Sequence, residues 1–287
     1  MSSAQELVAS CDQLFSLPEI YVRVRDVVND PNSSVADLAK VLALDPAITA
    51  RILQAVNSPL YGLPRHVGSL AQAVNMLGMH AIQDIVLTTS VTKAFPKIPA
   101  SVMNMTEYWR RSVRCGLLAD GFAKAAKLEH ADECFILGLL REVGHLVMYQ
   151  TVPERVQSAL IEASHLSQPL AEVEQENIGC DYAEVGAELM QRWGMPAHFE
   201  AIIRHQSEPT NAGDAAPYAQ ILFVSGRLSD LLETQSVDEA FTQADTTAAL
   251  HALGASAEQA RDIVMTAEAG LKDMLAIIYP RPLASAA

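Results

Sequence analysis

The side chains best suited to chemistry lie in the second half of the chain. His145 follows Arg141 by four residues, and His198 and His205 are seven apart, a spacing that sets them on one face of a helix. With oxygens from Glu142 and Asp181, such a set would hold a divalent metal and lower the pKa of its bound water. That requires convergence, and a single histidine is more often a satisfied or exposed side chain than a ligand. No metal and no cofactor is therefore expected. The chain has no Gly-rich phosphate loop, no Gly-x-Ser-x-Gly and no defensible Ser/His/Asp order. Its four cysteines form no Cys-x-x-Cys pair, which leaves neither a disulfide framework nor a structural zinc site.

The elements that must position these groups read as helices. The most consistent stretch is Asp45 to Gly78. Asp45 caps a helix over 46–56 with Pro46 at its first position, Ile48, Ile52, Leu53 and Val56 share one face, and Asn57-Ser58-Pro59 stops it. Ser69 with Gln72 starts another helix, and Gly78 allows a kink or close crossing. Earlier helices are predicted over 4–16, 18–28 and 35–44. Later ones are predicted over 82–91, 106–127, 132–151, 153–165, 169–177, 182–193, 196–205 and 217–233. Ser207 to Ala216 reads as a flexible loop and the terminal PRPLASAA as a frayed end. No segment alternates like a strand and no βαβ spacing occurs, so the fold is expected to be all-α, with two packed helical subdomains. The expected division is 1–98, 99–235 and a C-terminal helical extension over 236–287, with the join in the proline-bounded segment 95–99.

Lys and Arg total 20 against 34 Asp and Glu, a net charge of −14. That opposes nonspecific binding to nucleic acid or anionic lipid, and almost all of the excess lies after residue 100. With 50% hydrophobic residues over 287 positions, the chain can bury a sizeable core. No leader pattern and no bilayer-spanning apolar run is present, so a reduced, cytoplasmic setting is the expectation. Trp109 and Trp193 read as core anchors. In the N-terminal part, Asn57, Ser58, Tyr61 and Arg65 are the candidate interaction surface, since Tyr and Arg are favoured at protein interfaces.

The run DPAITARILQAVNSPLYG, preceded by LFSLPEI and followed by AVNMLG, strongly resembles the hallmark of HDOD domains. These are helical signalling modules related to HD-type metal phosphohydrolases, and the likeness covers roughly residues 7 to 235. The resemblance implies that the second subdomain is HD-like and that a metal site should be looked for there. At the positions where the HD pattern has its ligands, this chain has Arg111, Arg141-Glu142, Tyr182, Gln206 beside His205, and Gly226. A guanidinium has no lone pair to give a metal and stays protonated.

The resemblance thus implies a non-catalytic, response-regulator-like bacterial signalling protein that works by binding a signalling partner, such as a two-component or cyclic-dinucleotide pathway component. Arg111 and Arg141 would replace the metal's charge by pairing with Glu142 and Asp181. A cleft between subdomains, near Arg111, Arg141, Glu142, His145, Asp181, Tyr182, His205 and Gln206, is the expected ligand site. The alternatives are a divergent metal-dependent phosphohydrolase of nucleotides or cyclic dinucleotides, and a non-catalytic nucleotide sensor whose arginines meet phosphate oxygens.

Overall fold

The computed structural model describes residues 2–11, 18–58, 66–95, 98, 103–243, 250 and 253–279, and among them there are helices and no strands. The chain is all-α. After α1 (Ala4–Ser10) come α2 (Glu19–Asn29), α3 (Val35–Leu42), α4 (Pro46–Val56), α5 (Leu70–Leu77) and α6 (Met79–Ala94). Then follow α7 (Met105–Ala125), α8 (Cys134–Leu140), α9 (Val143–Thr151), α10 (Pro153–Leu166) and α11 (Leu170–Asn177). The last are α12 (Tyr182–Arg192), α13 (Ala197–Arg204), α14 (Ala216–Leu231), α15 (Val237–Thr242) and α16 (Ala257–Ile278).

Two compact units form: Met1–Ser16 with Lys97–Val264, and Leu17–Pro96 with Met265–Ala287. Both chain ends thus group differently from the three expected segments, for local reasons. Helix α1 packs on α9 and α12, and the Ser2 amide donates to the Ile178 carbonyl at 2.8 Å. The end of α16 returns to α4, where Arg51 Nη1 reaches the carbonyls of Ile277 and Ile278, each at 3.4 Å.

In the smaller unit, caps set the boundaries. Asp45 accepts from the amides of Ala47 and Ile48, Ser34 forms a capping box with Asp37, and Ser69 caps α5. Gly78 has φ 84°, a value L side chains rarely adopt, and it separates α5 from α6. Tyr21, Val24, Leu38, Leu42, Ile48, Ile52, Val74 and Val86 fill the core. Asn57 is a clamp at the end of α4: its amide nitrogen donates to Leu53 O and Val67 O, and its Oδ1 accepts from Val67 N at 2.8 Å. Its polar groups are engaged within the unit. Tyr61 and Arg65 lie outside the described residues, as does PRPLASAA.

The larger unit is built on α7, which packs along α8 and α14, with Trp109 fully buried. Here the sequence expectation needs two corrections. The single helix over 132–151 is broken at Arg141–Glu142, where Glu142 adopts φ −105° and ψ 16°, and α8 and α9 are separate. The stretch taken for a flexible loop is a 3-10 helix over Pro209–Ala215, kinked where Gly213 takes φ 57°. The four cysteines are all buried and none is in a disulfide, and burial pushes the thiols of Cys115, Cys134 and Cys180 up to about 12.

Helices α9 and α12 cross so closely at Gly144 that a Cβ there would lie 2.0 Å from the Tyr182 carbonyl oxygen. No side-chain rotamer relieves a clash with backbone, so Gly144→Ala should destabilise the protein by about 3 kcal/mol or prevent folding. Gly68→Ala, with nothing within 4 Å of the added carbon, should stay within about 0.5 kcal/mol of the parent. Urea unfolding of the two variants checks this contrast.

Candidate functional site

The break between α8 and α9 places Arg141 and Glu142 at the floor of a cleft of 1070 Å³. The eight side chains assigned from the resemblance, Arg111 and Arg141 through Gln206, all line this cleft. Its walls come from the larger unit alone, which corrects the expectation of a cleft between subdomains. The HD-like helices enclose the space by themselves.

Arg141 is the centre of the floor. Its Nη1 donates to Glu142 Oε1 at 2.9 Å and its Nη2 to Asp230 Oδ2 at 3.5 Å, while Arg111 Nη2 donates to Glu142 Oε2 at 3.3 Å. Only 16% of the Arg141 side chain and 13% of that of Glu142 are exposed. Room for the guanidinium is provided by Gly226 on α14. A Cβ at 226 would lie 2.4 Å from Arg141 Nε and 2.5 Å from its Cζ. The space left open at Gly226, where the resemblance leads one to expect a ligand, is filled by the Arg141 guanidinium.

The expected partner Asp181 takes no part. Its carboxylate caps α12, accepting from the Glu184 amide at 2.8 Å, and Asp230, one turn beyond Gly226 on α14, takes its place. Further ties join α7 to α14 and the turn after it: Arg110 and Arg114 both bond Glu233 in that turn, and Ser229 Oγ donates to Arg111 O at 3.0 Å. Asp230 and Glu233 were not singled out from sequence. Their only signal is spacing from Gly226 on a helix that had to face the site.

A second polar pair forms the wall. His145 Nε2 bonds Glu174 Oε1 at 3.0 Å, and the other carboxylate oxygen of Glu174 accepts from Tyr182 N at 3.0 Å. Glu174 has no solvent exposure, and the His145 ring stacks on Tyr182 with centroids 4.3 Å apart. Gln206 donates to Arg141 O and Ile203 O, whereas His205 caps α13 and lies half-buried at the cleft edge. His198 points elsewhere and bonds Glu133 at 2.6 Å, so the two histidines spaced by seven do not converge.

The charges respond to this packing. Burial pushes the Glu142 carboxyl up, but Arg141, Arg111 and His145 together outweigh it and hold the group below the usual range. Burial lowers and the nearby acidic groups raise Arg141, which stays well above its ordinary value. His145 is likewise raised, because Glu174 and Glu142 outweigh its burial and the repulsion of Arg111. For Asp230, burial wins over Arg141 and the carboxyl is raised.

This donor set does not fit a divalent metal. A guanidinium locked between two carboxylates repels a cation and offers it no lone pair. Among the described residues, no group of three His, Cys, Asp or Glu side chains could hold a metal ion.

A model of the HDOD domain matches residues 14–209 of the sequence. A presumed phosphohydrolase from Shewanella amazonensis SB2B has a similar structure, with a TM-score of 0.77, 23% identity, and 96% of this chain and 97% of that one covered. A presumed signal transduction protein from Marinobacter aquaeolei VT8 gives a TM-score of 0.71 at 23% identity, over 91% of this chain and 58% of the other. At such identities these likenesses show a shared fold. An uncharacterized protein of Treponema pallidum is 24% identical over 196 residues, or 67% of this chain, and this chain spans 37% of its length. No described helix is long and apolar enough to cross a membrane. With its sequence matched from Leu14 to Pro209 and its helices superimposing on those of such proteins, the chain belongs to the HDOD domain family.

Proposed function

We propose that this chain is a non-catalytic regulatory protein of bacterial signal transduction, acting in the cytoplasm by binding a partner or a small ligand. The observation that carries this reading is the Arg141 guanidinium packed into the space over Gly226 and closed by Glu142 and Asp230. A phosphohydrolase of this fold would need a metal-bound water, and here fixed positive charge stands at the ligand positions. The presumed signal transduction protein among its structural relatives supports the regulatory setting. A two-component or cyclic-dinucleotide pathway component is the partner class this implies. A nucleotide sensor is less favoured, because Arg111 and Arg141 already meet carboxylates and have little charge left for phosphate.

The test is elemental analysis of protein purified without chelator, with hydrolysis assays on nucleotides and cyclic dinucleotides in added Mn²⁺. Substoichiometric metal and no turnover are expected. About one metal per chain with turnover would instead establish the phosphohydrolase suggested by the name of the Shewanella protein.

The cleft wall also makes the fold pH-dependent in a stated direction. The folded-state pKa of His145 is raised above its unfolded value, so its contribution to stability is complete below about pH 6.5 and is lost as pH rises through the folded value. Urea unfolding between pH 6 and 9 should show the parent losing stability relative to His145→Gln. Parallel curves for the two proteins would contradict the pairing with Glu174.

A further inference from the structure

Among the described helices, only α16 has residues in both compact units: 257–264 belong to the larger one and 265–278 to the smaller. The helix is nonetheless continuous over its 22 residues. Ser256 and Gln259 fix its start, each accepting from the other's amide, at 3.1 and 3.0 Å. Buried side chains then recur at Ala260, Val264, Ala267, Leu271, Met274 and Ile278, at alternating spacings of four and three. They form one apolar stripe, which crosses the division after Val264 without changing face.

Each half of α16 is fastened inside its own unit. In the larger unit it lies so close to α7 that a Cβ at Gly121 would stand 2.6 Å from Ile263 Cγ2. Arg261 adds an ion pair with Asp238 at 3.1 Å, and its Cζ lies 5.6 Å from the centre of the Phe241 ring. In the smaller unit the last turn has no basic residue of its own, and Arg51 of α4 supplies the positive charge at the Ile277 and Ile278 carbonyls. Arg51 stands within the run DPAITARILQAVNSPLYG, so that run caps a helix far along the chain. At the other end, the helix that meets α16 at Gly121 is the one that brings Arg111 to Glu142 on the cleft floor.

We propose that α16 is a coupler that makes the two units one cooperative system, so that what loosens or stabilises one is felt in the other. The physical basis is helix cooperativity. Residues 257–264 make about two turns, too short to stay helical alone, and the turns fastened to the smaller unit continue them. Opening of the smaller unit uncovers the stripe from Ala267 onward, and the turns that back Gly121 then lose their continuation. This coupling goes beyond the regulatory reading and does not depend on what the cleft binds. It gives a binding event at Arg111 a route to α4, and by linkage the reverse.

Hydrogen exchange of the full chain, read by mass spectrometry, tests the coupling. Ile48→Val trims the core of the smaller unit, where Ile48 is 1% exposed, and should speed the slowest amides of α7 in the larger unit about fivefold. The same substitution in a Met265→Pro background should leave α7 within about twofold, because a proline there breaks the helix at the division. Met265 is 62% exposed, so that break removes little buried contact. If Met265→Pro does not fold, Gly-Ser-Gly-Ser inserted after Val264 interrupts the helix and keeps both fastened halves. The proposal is overturned if Ile48→Val leaves the α7 amides of the otherwise unchanged chain as they were. It is equally overturned if the fivefold effect persists once α16 is interrupted, since the coupling would then run by another route.

Discussion

A charge buried in protein must be matched where it sits, and in this molecule that constraint falls on Arg141. The guanidinium is held by Glu142 beside it in sequence and by Asp230 from α14, and Arg111 from α7 shares Glu142. Removing one member of such a group leaves the others desolvated and unpaired, at a cost of about 3 kcal/mol or more. The network therefore ties α7, the α8–α9 break and α14 into one arrangement. It does the positioning that a bound metal does in a metallohydrolase: one cation at the centre, with several helices contributing the groups around it.

The rest of the cleft follows from that substitution. Gly226 is needed because a side chain there would collide with the guanidinium. Gln206 donates to the Arg141 carbonyl, and its amide nitrogen, unlike an imidazole nitrogen, has no lone pair to give a metal. Tyr182 stacks on His145, whose Nε2 is turned to Glu174. Arg141, Glu142, Tyr182 and Gln206 are bonded or stacked within the cleft's own lining, and further carboxylates stand around the opening. The charges at its floor are matched by its own side chains.

Much of this was legible in the sequence, and the reason is locality. Asp45, Ser34 and Ser69 cap their helices through bonds two or three residues away, so the starts of α3, α4 and α5 could be read directly. The eight residues that the resemblance grouped into one site were also named from sequence, and they line one cleft. What the sequence hid was non-local. Periodicity runs unbroken through 132–151, and only the close crossing of Gly144 with the Tyr182 backbone accompanies the break at Glu142. Asp230 and Glu174 look like ordinary surface acids until the fold brings Arg141 and His145 to them. Asp181, expected as a counter-charge, was already engaged as a helix cap, a role its position before Tyr182 and three residues before Glu184 had signalled.

The most direct test of the central interaction is a double-mutant cycle on unfolding free energy with Arg141→Met, Glu142→Gln and the pair combined. If the buried guanidinium and carboxylate depend on each other, the double variant should be more stable than the sum of the single losses predicts, by about 2 kcal/mol. Additivity within about 0.5 kcal/mol would show that the two side chains act independently, and the account of Arg141 as the cleft's internal cation would fail.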